Sequence, residues 1–241
     1  MSKREQKRHV VLADWDNTLR AGFTVIAWTE FLASRGLFSA LPTILQRFSR
    51  FLNDRSYDYE VFCKDMEIAY AEGLAGQPRE EVATAAVSFV AADGKNIFRF
   101  VRPLCEHFAG RHLSMIVISG APEEPLTQYA KTLGFELGGA LRLDVRDGFY
   151  TGQVIENCGL SKIKSEVVSR VSMQNDVAVA LADSLSDMPL LDAARCRFVV
   201  GGAPHHAVPV GPNLLSFDSD SDPDLVLQLV RRCVDGVDSR N

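Results

Sequence analysis

A doubly wound α/β protein, with a mostly parallel sheet and an all-helical segment inserted after the first strand, is the fold class the sequence predicts. Three observations carry it. Apolar, largely β-branched runs without polar alternation recur at residues 9–13, 112–118 and 177–182, as strands buried on both faces require. Stretches of helical period separate the later runs, and alternation of strand with helix implies parallel pairing. From residue 20 to 110 nothing alternates as a strand does, so the helices there form a unit of their own.

The first run, His9–Ala13, ends in Asp14-Trp15-Asp16-Asn17-Thr18. Residues two apart in an extended chain point the same way, which sets Asp14 and Asp16 side by side where the strand leaves the sheet. Two carboxylates so placed repel. A divalent cation with oxygen ligands offsets that repulsion, and a pair with separated pKa values suits acid–base work. The same residue types also make a turn and cap a helix, so the stretch by itself leaves both readings open.

Helices are expected near 24–35, 40–53, 57–72, 78–92 and 95–109, divided by Gly36, Asn53-Asp54, Gly73 to Gly76, and Asp93-Gly94. Pro78 with Glu80 and Glu81 makes a good opening turn. The many aromatics between Phe23 and Tyr70 are expected to pack the core of this bundle. A membrane-surface role for Leu37–Leu52 is weak, because Arg47 and Arg50 are its only cations.

Strand character returns at His112–Ile118 and ends in Ser119-Gly120. Pro122, Glu123 and Glu124 open a helix with the apolar face Leu126, Tyr129, Ala130 and Leu133, closed by Gly134. Leu141–Val145 is the next strand, and Asp147-Gly148 turns it into Phe149–Ile155 as a hairpin. Lys164 precedes the helical stripe Val167, Val168 and Val171. Val177–Ala182 then runs into Asp183, with Asp187 four residues on. Arg197–Gly201 reads as a last strand and Leu225–Val234 as a last helix, while Gly138-Gly139 and Gly201-Gly202 read as turns.

The 241 residues are 46% hydrophobic, enough for a substantial core, and carry a net charge of −5. That balance, with only Lys3, Arg4, Lys7 and Arg8 as a basic tail, argues against nucleic acid as the main partner. Asp218, Asp220, Asp222 and Asp224 read as a solvated loop. The five cysteines are scattered and odd in number, so reduced thiols are the simplest expectation. No apolar run is long enough for a signal-peptide core or a membrane span, and a cytoplasmic protein is expected. His205-His206 has no third ligand at metal spacing, and Cys158 has no paired histidine to make it a nucleophile.

In an open parallel sheet, ligands bind beyond the carboxyl ends of the strands at the topological switch point. Asp14, Asp16, Ser119, Gly120, Lys164, Asp183 and Asp187 all fall at such ends or at the helix starts beside them. Hard oxygen ligands suit Mg²⁺, commonly completed by a substrate phosphate oxygen. Ser119, the Gly120 N–H and Lys164 supply donors for the remaining phosphoryl oxygens.

These residues, in this order, resemble the four motifs of the haloacid dehalogenase superfamily of phosphohydrolases, most closely its phosphoserine-phosphatase-like branch. Asp14-Trp15-Asp16-Asn17-Thr18 matches D-x-D-x-T, Val117-Ile118-Ser119-Gly120 the second motif, and Ser161-Lys162-Ile163-Lys164 the lysine motif. Ala182-Asp183-Ser184-Leu185-Ser186-Asp187 matches the acidic motif, and Asp147 to Gly152 resembles the family's hairpin. Lys164 is the preferred lysine and Lys162 the reserve. The resemblance covers residues 9 to 203. It implies a Rossmann-like catalytic core of residues 1–19 and 111–241, with a helical cap at 20–110 that sets substrate specificity.

The resemblance further implies an Mg²⁺-dependent phosphatase acting on a small organic phosphate monoester. Asp14 would be the nucleophile that becomes an aspartyl-phosphate, and Asp16 the acid and then the base. Ser119, Gly120 and Lys164 would hold the phosphoryl oxygens, and Asp14, the Asp16 carbonyl, Asp183 and Asp187 the metal, Asp187 directly or through water. Phosphoserine phosphatases carry a glutamate where Phe23 stands, and Gly and Asn where Ala182 and Ser186 stand, so phosphoserine is not the expected substrate. The alternatives are a phosphotransferase or phosphomutase sharing the intermediate, and a non-enzymatic receiver-like phospho-acceptor. The sequence leaves the oligomeric state open.

Overall fold

The structure, a computed structural model, describes residues 7–201 and 214–238. Seven strands form one sheet in the order β4-β3-β2-β1-β5-β6-β7. They are β1 (Arg8–Ala13), β2 (Ser114–Pro122), β3 (Glu136–Arg146), β4 (Phe149–Asn157), β5 (Asn175–Ala182), β6 (Cys196–Gly201) and β7 (Leu214–Asp218). Every pairing is parallel except that of β3 with β4. The chain winds outward from β1 in both directions, which puts the switch point between β1 and β5.

The apolar run of β1 works as the period of two demands. Val11 and Ala13 face one buried cluster, which includes Leu104 and Phe108 of α5 (Val101–Gly110), Leu126 and Tyr129 of α6 (Glu123–Leu133) and Val226 and Val230 of α9 (Pro223–Asp238). Val10 and Leu12 face a second, with Val167 and Val168 of α7 (Ser161–Gln174) and Leu190 and Leu191 of α8 (Met188–Ala193). Both faces of the sheet are thus covered, the condition for an all-apolar central strand.

Four helices follow β1: α1 (Thr24–Ala33), α2 (Leu41–Asn53), α3 (Tyr59–Leu74) and α4 (Arg79–Asp93). The fifth expected helix, 95–109, begins later, at Val101, after a short 3₁₀ turn. The intervening backbone has other partners. Ala21 N–H donates to the Asn96 carbonyl and Phe98 N–H to that of Leu19, so the outgoing and returning chains run side by side. Beneath them Arg20 and Asp93, both buried, form an ion pair that also takes in Tyr129. The cations of α2 are likewise paired, Arg47 with Asp65 at 3.1 Å and Arg50 with Asp54 at 3.2 Å.

Several readings need correction. Gly138 and Gly139 lie inside β3, where a Cβ would come within 2.6 Å of Ile116 and 2.5 Å of the Cys158 sulfur, so they are packing glycines and not a turn. Gly201 ends β6, and Gly202 lies outside the described residues, as do His205-His206, Lys3 and Arg4. β7 went unread. Of the four C-terminal aspartates, Asp218 ends β7 and Asp222 caps α9, accepting from the N–H groups of Asp224 and Leu225. The thiols are not all reduced: Cys196 and Cys233 form a disulfide, with Cα atoms 6.0 Å apart, because α9 docks against β6. The cysteines therefore lend no support to a reducing compartment. Cys63, Cys105 and Cys158 are free and buried. Among the described residues no helix is long and apolar enough to cross a membrane.

Candidate active site

The carboxyl ends of β1, β2 and β5 and the start of α7 meet at one point. Asp14 leaves β1 with its N–H still donating to the Leu181 carbonyl of β5 at 3.0 Å, which ties the two strand ends together. Its carboxylate accepts from the Lys164 ammonium at 3.0 Å, and Lys164 also binds Asp187. One ligand oxygen from each of Asp14, Asp183 and Asp187 fits within 4.8 Å of the others, all three residues being buried.

Burial and the nearby Asp187 charge push the Asp14 carboxyl up to about 7, against the pull of Lys164. Burial, with Asp187 and Asp14, pushes Asp183 up to about 8. Burial works to lower the Lys164 ammonium, but Asp14 and Asp187 outweigh it and hold it above the usual lysine range. Crowded carboxylates that resist ionising lack positive charge, and an all-oxygen donor set is the kind Mg²⁺ prefers. The residues therefore fit that ion.

The short loop after β1 is folded by its own backbone. Leu19 and Arg20 N–H groups donate to the Trp15 carbonyl, and Asn17 takes a left-handed φ of 60°, a conformation asparagine tolerates. Thr18 Oγ1 donates to Asp183 at 3.0 Å, joining this loop to the end of β5. Asp16 turns the other way. Both its oxygens lie 2.9 Å from the Thr24 N–H at the start of α1, and the Thr24 hydroxyl donates to it as well. Burial raises Asp16 to about 6, with Arg20 and Thr24 opposing. A carboxyl with that value can hold a proton or take one near neutral pH.

Ser119 and Gly120 lie where β2 is losing its partners: pairing with β1 stops at Val117, and the register with β3 slips between Ile118 and Pro122. Gly120 has no room for a side chain, since a Cβ would sit 2.6 Å from the Gly159 Cα. Lys162, by contrast, is exposed and pairs with Glu166 at 4.0 Å. Phe23 is in contact with Phe48, Phe51 and Phe62. Asp14, Asp16, Phe23, Ser119, Gly120, Asp183 and Asp187 all line one cavity of about 350 Å³.

Sequence reasoning missed Thr24, six residues past Thr18, whose place as the first residue of the next helix was the available signal. It also missed the Asp187 partner Ser184, which donates to that carboxylate at 2.5 Å. Phe48, Phe51 and Phe62, expected in a core, do pack there, Phe62 inside the buried cluster and Phe48 and Phe51 against it, and they line the cavity as well.

The profile of the haloacid dehalogenase-like hydrolases matches residues 11–192, so the chain belongs to that family. It is an enzyme, a phosphatase-like hydrolase. A probable phosphatase of Mycobacterium tuberculosis is 24% identical over 207 residues, covering 80% of this chain and 69% of that protein. A Bordetella pertussis protein of unknown function shares the fold with a TM-score of 0.64 at 19% identity, covering 83% of this chain and 92% of that one. A substrate-bound phosphoserine phosphatase does so with a TM-score of 0.61 at 17% identity, covering 93% and 99%.

Proposed function

We propose that this protein is an Mg²⁺-dependent phosphatase that hydrolyses a small organic phosphate monoester through an aspartyl-phosphate at Asp14. The observation that carries the reading is the meeting of Asp14, Asp183 and Asp187 with the single buried ammonium of Lys164 at a sheet switch point. An Asp14 oxygen attacks phosphorus in line as the ester P–O bond breaks, and Asp16 gives its proton to the departing alkoxide. Asp16 then takes a proton from water as that water attacks phosphorus. The bond to Asp14 breaks, and phosphate leaves.

Ser119, the Gly120 N–H and Lys164 hold the other phosphoryl oxygens and stabilise the charge spread over them. Asp14, the Asp16 carbonyl, Asp183 and Asp187 would hold Mg²⁺, which supplies charge neutralisation between an anionic nucleophile and an anionic ester. Thr24 keeps the Asp16 carboxyl aimed. Residues 20–110 act as the cap, and Phe23, standing where phosphoserine phosphatases carry a glutamate, argues against phosphoserine as the substrate.

Membership of the hydrolase family supports hydrolysis over a receiver-like role. A phosphotransferase differs only in the acceptor of the second step. The test is release of inorganic phosphate from p-nitrophenyl phosphate with Mg²⁺, with and without EDTA. Release that EDTA abolishes is expected. Turnover only when a second alcohol is added indicates transfer, and turnover untouched by EDTA overturns the metal-dependent mechanism.

A further inference from the structure

Part of the cavity's lining is not used by the chemistry above. That wall comes from Phe23, from Phe48 and Phe51 of α2, and from Phe62 and Met66 of α3. The rings hold one another. Phe51 stacks on Phe62 at 4.2 Å, and Phe23 meets Phe48, Phe51 and Phe62 edge-on with centroids 5.5 to 6.0 Å away. Such mutual packing keeps the wall in place without a ligand.

None of these wall residues carries a charge. Among the described residues that line the cavity there is no Lys, Arg or His, and its only carboxylates are Asp14, Asp16, Asp183 and Asp187. The arginines of α2 are engaged with Asp65 and Asp54. On the alcohol part of a substrate a carboxylate would meet no cation there, and an ammonium would give up its water for only the weaker pull of the ring faces. An apolar group there would release water that the rings cannot bind.

We infer that the enzyme takes phosphate monoesters of a neutral, apolar alcohol, aromatic or branched-alkyl, with Phe23, Phe51 and Phe62 as the selecting wall; this rests on the monoester-hydrolase reading. Size fits. An apolar cavity of about 150 Å³ holds benzene, so about 350 Å³ has room for a phosphoryl group and one ring-sized substituent.

The test pairs turnover with direct binding on the full chain. With Mg²⁺, kcat/KM for 2-phenylethyl phosphate exceeds that for O-phosphoserine and for phosphoethanolamine at least tenfold, the scale at which an apolar pocket discriminates. Calorimetry, which needs no turnover, finds 2-phenylethylphosphonate bound at least tenfold tighter than 2-aminoethylphosphonate. F23E narrows both ratios, and F23L, which keeps an apolar wall, preserves the order of preference. Equal or reversed ratios with phosphate still released overturn the substrate class and leave the hydrolase reading standing. Tight aryl-phosphonate binding with no phosphate released from any ester does the opposite.

Discussion

The reaction end of the cavity is held by charge and its aromatic wall by ring packing, and the two tolerate error differently. At the reaction end, Asp14 is brought from far away in sequence to Asp183 and Asp187, and the three are fixed to within 4.8 Å by strand ends and one lysine. At the aromatic wall, Phe23, Phe48, Phe51 and Phe62 are interchangeable in chemistry, each supported by the others. Removing one group from the first region is expected to stop the reaction. Removing one ring from the second changes which alcohol fits.

The sharpest break comes from D14N. Loss of the nucleophile lowers phosphate release by about 10³-fold or more, as for other groups that act as one catalytic unit, while circular dichroism and the melting temperature show a retained fold. Near-normal turnover sinks the mechanism. Next in size is the buried ion pair where the insertion that carries the wall leaves and rejoins the sheet domain. R20L leaves Asp93 buried without its cation, and breaking such a pair costs about 3–5 kcal/mol. A denaturant midpoint that does not move would show that the paired chains at Leu19–Ala21 and Asn96–Phe98 hold the insertion without this ion pair.

The metal site gives a pH-dependent prediction with a definite sign. In metal-free protein Asp14 and Asp183 rise from the ordinary 3.8 to about 7 and about 8. The folded state therefore holds more protons than the unfolded one between about pH 4 and 8, and stability falls as pH rises through that window. Mg²⁺ needs the ionised carboxylates. The rise in melting temperature on adding Mg²⁺ is thus expected to be larger at pH 8 than at pH 5, and D183N should raise the Mg²⁺ needed for half-maximal activity at least about tenfold. A shift equal at both pH values contradicts the assignment.

The two regions also differ in how far the sequence displays them. Three reaction-end residues interrupt apolar runs of the sheet: Asp14 after Val10–Ala13, Ser119 after Met115–Ile118, Asp183 after Val177–Ala182. A polar group at such a boundary is visible because the strand's burial forces everything before it to be apolar. The wall has no such contrast. Phe48 and Phe51 on one helix carry the same pattern whether they face a core or a cavity, and only the crossing of α2 over α3 decides. The Cys196–Cys233 bridge was hidden for a like reason, since it depends on a helix docking against β6 and not on any local spacing. Gly138 and Gly139 misled because a glycine that makes room for a neighbour and one that makes a turn are the same letter.

The smallest expected effect concerns how the wall is set over the reaction end. The hairpin strand β4 meets the insertion through backbone bonds, Gly76 N–H to the Tyr150 carbonyl at 2.8 Å and Tyr150 N–H to that of Gln77 at 3.1 Å. Side chains repeat the connection. Tyr150 and Tyr70 of α3 both donate to Glu124 at the start of α6, at 2.8 and 2.7 Å, and Trp28 of α1 donates to Tyr70. Y150F removes one donor from Glu124 and leaves the backbone bonds and Tyr70 in place. The cost is about 1 kcal/mol, that of one buried hydrogen bond. If the hairpin only adds stability, the melting temperature falls and the ester preference stays as it was. If it also sets the wall over Asp14, the ratio of kcat/KM for 2-phenylethyl phosphate over phosphoethanolamine falls with it, with D14N-like loss of turnover absent.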